Sequence, residues 1–287
     1  MPYVLVNGVN HYYEWIKSSE PSTLPATGNK PVMVFVHGWA GSARYWRSTA
    51  LAQCQQFDCL LYDMRGFGRS HVEDSSRELC LKRGYELETF ADDLADLLDA
   101  LSLDRVYLNA HSMGASVGVF FLNRHPDRVI KAILTCNGIF DYDERAFNAF
   151  YQFGGYVVKF RPTWLARIPL VPRFFMARFL HRPIPRQERQ AFLEDFLNAD
   201  YGTALGTIFT SVSKKATEVM PGEFTQVKVP TLMVSGQYDK ITPSDLGRRA
   251  AALNPCMEYV EIPRTSHFPM LEDSKTYLAQ VSRFLAE

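Results

Sequence analysis

Cysteine is scarce and unpatterned. The five residues, Cys54, Cys59, Cys80, Cys136 and Cys256, are odd in number and have no C-x-x-C spacing. That argues against a disulfide framework or a zinc site and for a reducing compartment; Cys59 and Cys136 lie in apolar runs and read as core residues. No excess of either charge exists, with Lys+Arg and Asp+Glu both 31, so no global field toward nucleic acid or membrane is implied. No apolar run approaches the length of a bilayer span. The opening Met1-Pro-Tyr-Val-Leu-Val lacks a charged segment followed by an apolar one, so no signal peptide is expected. A cytoplasmic location follows as the expectation. Internal repeats, low-complexity stretches, H-E-x-x-H, a glycine-lysine phosphate loop and a dinucleotide fingerprint are all missing, which removes support for metal, phosphate or nicotinamide chemistry. No metal and no cofactor are expected.

What the 287 residues do contain is an alternation of β-rich runs and helical patterns, enough for one large α/β domain with an insertion or for two small domains. Tyr3–Val6 and Asn10–Lys17 read as a hairpin about Asn7-Gly8, followed by a loop over Ser18–Lys30. Buried strands are predicted at Pro31–Val36, Phe57–Tyr62 and Val129–Thr135 and further strands at Val229–Ser235 and Met257–Ile262, with helices at Ser42–Gln55, Leu87–Leu101, Ser244–Leu253 and Pro269–Leu285. The alternation implies a mostly parallel sheet covered on both faces, with its site at the carboxyl ends of the strands. Between Asp141 and Phe224 the alternation stops.

At Arg105–Leu122 an apolar strand turns through Ala110-His-Ser112-Met-Gly114 into a small-residue helix start. Small residues two positions either side of Ser112 are what a strained strand-to-helix corner requires. The corner lifts the serine Oγ from the sheet and aims the first helical N–H groups, that of Met113 among them, at whatever it attacks. Further residues of chemical use fall just after strands: His37-Gly38-Trp39, the Asp63–Ser70 turn, Asp239 and His267.

With these motifs, Ser235–Pro243 and Ser266–Asp273, the chain resembles the α/β-hydrolase fold family nearly end to end outside the insertion. The resemblance implies a mostly parallel eight-stranded sheet, a core of residues 1–140 and 225–287, and a helical cap of residues 141–224. It implies a serine hydrolase: Ser112 as nucleophile, His267 as base, Asp239 as the acid orienting it, with Trp39 supplying the second oxyanion N–H beside Met113. Asp141 stands as a second candidate acid. His37, Gly38, His111, Phe140 and Phe268 are candidates for lining the pocket; His37 also reads as a brace of its turn, and Asp63, Arg65 and Arg69 as a structural ion-pair turn. An aspartate at the elbow, as in haloalkane dehalogenases and epoxide hydrolases, is not present. An apolar carboxylic ester is the first choice of substrate. Thioesters, C–C bonds beside a carbonyl, peracid formation and N-terminal proline peptides are other reactions of the same triad, and a ligand receptor with an intact triad is the alternative from another class.

Inside the insertion, Lys159–Arg189 carries eight cations (Lys159, Arg161, Arg167, Arg173, Arg178, Arg182, Arg186, Arg189) against the single acid Glu188, interleaved with aromatic and aliphatic residues. Three readings suit it. It closes over its own pocket with the arginines solvated, rests on an anionic lipid surface as a peripheral contact, or attracts an acidic acyl-carrier partner or coenzyme A phosphates. Oligomeric state is not legible.

Overall fold

The computed structural model describes residues 2–18 and 30–287; most of the expected Ser18–Lys30 loop lies outside them. Eight strands, β1 (Tyr3–Val6), β2 (Val9–Ile16), β3 (Val32–Val36), β4 (Asp58–Tyr62), β5 (Val106–His111), β6 (Val129–Thr135), β7 (Thr231–Gly236) and β8 (Met257–Ile262), form one sheet in the order β1-β2-β4-β3-β5-β6-β7-β8. The first hairpin and its junction with β4 are antiparallel; every other pair is parallel. Asn7 and Gly8 both adopt positive φ, the mirror-image turn that suits the twist of a two-residue hairpin.

Helices α1 (Arg47–Gln53), α2 (Asp74–Arg83), α3 (Leu87–Ala100), α4 (Met113–Arg124), α10 (Ser244–Ala251), α11 (Pro269–Glu272) and α12 (Ser274–Ala286) belong to the alternating part of the chain. Five more, α5 (Glu144–Lys159), α6 (Val171–Met176), α7 (Arg186–Asn198), α8 (Tyr201–Ser211) and α9 (Lys214–Gln226), fill the insertion between β6 and β7. The central strands are buried on both sides, as parallel strands flanked by helices must be. One apolar cluster joins Val34, Leu108 and Leu134 to α3 and α4 (Phe90, Leu94, Phe121) and runs on into the insertion at Phe196 and Phe224. The other joins Met33, Phe35 and Ile133 to Trp46, Tyr277 and Phe284.

Three local expectations change. The helix expected over Ser42–Gln55 starts as a 3-10 turn, Ala43–Trp46, because Ser42 Oγ accepts the Arg44 N–H and Asp63 Oδ1 takes the Ala43 N–H. The closing helix is two helices, broken at Asp273, whose carboxylate caps Thr276 instead of continuing the first. Helix α2 was not expected: only Cys80 is buried in it, while Leu79 and Leu81 face solvent, so it shows no apolar stripe.

Candidate active site

The elbow is built by three neighbours. Ser112 sits at φ 55° and ψ −124°, a left-handed backbone that is costly for a residue with a Cβ. Its N–H donates to the Thr135 carbonyl at 2.8 Å, and its carbonyl accepts from Asn137 Nδ2 at 3.2 Å, so the end of β6 fixes both sides of the corner. Behind it, a Cβ on Gly114 would overlap the His37 carbonyl, which is why no larger residue fits where α4 crosses β3.

Ser112 Oγ stands 3.0 Å from His267 Nε2, and His267 Nδ1 stands 2.7 Å from Asp239 Oδ2. The other Asp239 oxygen accepts the N–H groups of Ile241 (2.7 Å) and Thr242 (3.0 Å). Burial alone would raise the Asp239 carboxyl. The His267 ring and those two N–H donors outweigh it and hold the group below the usual carboxylate range. Asp141, the second candidate acid, is elsewhere: it is exposed and paired with Arg249 at 2.7 Å, which holds its carboxyl low.

Met113 opens α4, so its N–H has no intrahelical acceptor. Neither it nor the Trp39 N–H is taken by another group among the described residues. Gly38 passes close to Ser112, where an added Cβ would stand 3.1 Å from both the serine Cβ and His111 Nδ1. The Trp39 ring is tied to the insertion, its Nε1 donating to the Ala204 carbonyl at 3.0 Å and its face 5.9 Å from Phe196.

His37 and His111, nominated as lining residues, are fully buried with both nitrogens engaged, so they brace the site from behind. His37 Nδ1 donates to the Gly38 carbonyl (2.8 Å) and Nε2 accepts the Met64 N–H (2.9 Å). His111 Nε2 donates to the His267 carbonyl (2.7 Å), and Nδ1 accepts from Tyr45 Oη (2.9 Å), which itself receives the Gly38 N–H (2.6 Å). Burial depresses both imidazoles, further for His111 because His267 lies beside it, so both stay neutral. Phe268 packs on His111 at 4.7 Å and on Phe192 at 4.6 Å. Phe140 is half-buried and joins none of the ring contacts around Ser112 among the described residues. Of the ion-pair turn, Asp63 pairs with Arg69 at 2.8 Å as expected, while Arg65 turns away to Asp93 at 2.9 Å.

Sequence reasoning missed Tyr45 and Glu272. The buried Glu272 carboxylate accepts Ser266 N–H (2.8 Å) from the base loop and His181 (2.6 Å) and Arg182 (2.7 Å) N–H from the insertion. The insertion reaches His267 directly as well, since that residue's N–H donates to the Phe179 carbonyl at 3.0 Å. His111, Cys136 and His267 bring ligand-type atoms within 4.8 Å of one another. All four imidazole nitrogens are already hydrogen-bonded, so a metal ion there would have to break the bonds just described. Two surface hollows, of about 310 and 380 Å³, lie apart from Ser112.

Fold and site geometry together define a class. The family description "alpha/beta hydrolase fold" matches residues 31–274, and the chain belongs to that family. It is 24% identical over 288 residues to the AB hydrolase superfamily protein YisY of Bacillus subtilis (strain 168), covering 96% of this chain and 99% of that one. It is 24% identical over 276 residues to a proline iminopeptidase of Heyndrickxia coagulans, covering 90% and 91%. Among solved structures, an enol-lactonase from Burkholderia xenovorans superposes with a TM-score of 0.77 at 23% identity over 100% of both chains. Likeness at this identity carries the fold and not the substrate.

Proposed function

We propose that this chain is a serine hydrolase of apolar carboxylic esters working through an acyl-enzyme. The observation that supports it most is the pair of contacts on His267, 3.0 Å to Ser112 Oγ on one nitrogen and 2.7 Å to Asp239 on the other. A serine hydroxyl is a poor nucleophile unless an imidazole takes its proton during attack. In this reading His267 Nε2 accepts that proton as Oγ bonds to the ester carbonyl carbon, while Asp239 stabilises the imidazolium. The oxyanion receives the Met113 and Trp39 N–H groups, each worth roughly 3–4 kcal/mol to the transition state. Collapse breaks the C–O bond to the alcohol, which leaves with the proton from His267. Water then repeats the sequence on the acyl-serine and returns the enzyme.

Residues 141–224 serve as the cap in this proposal, because their Phe179 carbonyl and the Glu272 contacts hold the base loop. The preference for apolar substrates rests on the rings beside the base: Phe179 lies 6.1 Å and Phe268 5.4 Å from the His267 ring. The five free thiols are compatible with a reducing cytoplasm. No described helix is long and apolar enough to cross a membrane.

The test is fluorophosphonate labelling of the native chain and of Ser112→Ala, followed by initial rates on p-nitrophenyl esters of increasing acyl length. Labelling is expected to vanish in the variant and kcat to fall by roughly four to six orders of magnitude. Absence of labelling in folded native protein would remove the activated serine. Labelling without ester turnover would move the reaction to thioesters, C–C bonds or a receptor-like role.

A further inference from the structure

From Arg145 to Gln187 the chain has no aspartate or glutamate, yet it carries Arg145, Lys159, Arg161, Arg167, Arg173, Arg178, Arg182 and Arg186. The structure decides which way this stretch faces. Tyr156 is 73% exposed, Phe160 73%, Trp164 53%, Leu170 59% and Phe174 70%. Large apolar side chains this exposed are ordinary one at a time, but a run of them within one short segment marks an interaction surface. Tyr156 lies in α5, Phe160 just past its end and Trp164 in the 3-10 turn Thr163–Arg167, while Phe174 in α6 stands four residues after Leu170. They are therefore not closed over the site. Lys159, Arg167, Arg173, Arg178 and Arg186 alternate with them, are exposed, and have no ion-pair partner among the described residues. Beside Phe160 opens the 380 Å³ hollow, walled by Lys159, Arg161, Pro162, Leu197 and Tyr201. The Arg161 guanidinium there donates to the Val158 (2.8 Å) and Phe196 (2.7 Å) carbonyls and meets no carboxylate within ion-pair distance among the described residues.

We propose that this outer face of the insertion, from Tyr156 to Arg178, docks on an anionic phospholipid bilayer, with the aromatic side chains at the headgroup–acyl boundary and the cations among the phosphates. Charge complementarity picks the anionic surface: each cation near such a surface contributes about 1 kcal/mol. The protruding rings pick a bilayer over an acidic protein, because an acidic partner engages the cations while giving Phe160, Trp164 and Phe174 no apolar phase to enter. Arginine and lysine stems lie along apolar surface with their heads in the polar layer, which is the arrangement an interfacial segment needs.

The full chain would be sedimented with vesicles of phosphatidylcholine alone and with vesicles also containing phosphatidylglycerol. Binding to the anionic vesicles, weakened by high salt, is expected. Arg167→Gln/Arg173→Gln/Arg178→Gln should partition roughly a hundredfold more weakly. Phe160→Ser/Trp164→Ser/Phe174→Ser should also lose binding while keeping the native melting temperature, since these side chains are exposed. Trp164 emission should shift to the blue on vesicles and be quenched by brominated lipid, and Trp164→Phe should remove most of that shift. Equal binding to neutral vesicles, no binding, or wild-type binding by both triple variants overturns the proposal. Capture of an acidic acyl-carrier protein without vesicle binding also overturns it and reassigns the face to a protein partner. Run on Ser112→Ala as well as on the native chain, the sedimentation reads binding alone, so its outcome is separable from the reaction at Ser112.

Discussion

Tyr45 takes the Gly38 N–H on its oxygen and gives its own proton to His111, whose far nitrogen holds the His267 carbonyl. One hydroxyl thus joins the Gly38 turn to the His267 loop. Tyr45→Phe keeps the ring stacked on Phe192 at 5.1 Å but leaves a buried N–H and an imidazole nitrogen unpartnered, a cost of about 1–3 kcal/mol. Steady-state kinetics on an ester of the variant should show kcat about tenfold lower with KM nearly unchanged, because alignment and not substrate binding is lost. A rise in KM alone would contradict the link. Ser112, Asp239 and His267 are legible in the sequence because each sits in a short motif after a predicted strand, and His267 stands within hydrogen-bond reach of the other two. Tyr45 is not legible. It lies inside the predicted helix Ser42–Gln55 with no motif around it, and its partners are 7 and 66 positions away.

At the scale of elements, glycine spacing sets how closely α4 can approach β3. Gly114→Ala puts a methyl group into the His37 carbonyl, an overpacking of about 1–3 kcal/mol, and should lower the melting temperature by several degrees while slowing fluorophosphonate labelling. Gly155→Ala in α5 meets nothing within 4 Å and should be neutral or slightly stabilising in the same melt, by up to about 1 kcal/mol. Equal losses in the two variants would show that the close approach to the His37 carbonyl is not what costs Gly114→Ala its stability. The strands were legible because burial on both faces leaves unbroken apolar runs. Helix α2 was not, because it buries so little. The 3-10 start at Ala43 comes from the Ser42 and Asp63 side chains and the break at Asp273 from its own carboxylate, contacts that periodicity does not register.

Over the whole molecule, three imidazoles are buried neutral. Burial is the main cause for His11, His37 and His111, and it holds each below the ordinary value of 6.5. The unfolded chain therefore takes up these protons first as pH falls. Stability is fully present above about pH 7 and is lost below about 6.5, at up to roughly 1.4 kcal/mol per pH unit for each histidine. Asp239, held low when folded, adds a loss at more acidic pH, below its unfolded value of 3.8. Thermal unfolding followed from pH 8 to pH 5 should give a melting temperature that is flat and then falls; a flat profile throughout would mean these histidines are not held neutral. Net charge, zero over the chain, hides the cationic insertion entirely. The sequence located that cluster but not its facing, which depends on how α5 and α6 pack.

The Phe179 carbonyl that holds the His267 N–H lies only five residues beyond the exposed Phe174. The base loop therefore leans on the same strip of chain that meets the surroundings. Trimming that strip would also remove the support of the His267 loop, so the two cannot be altered apart. Any displacement of the strip by what it touches is felt five residues later, at the carbonyl that holds His267.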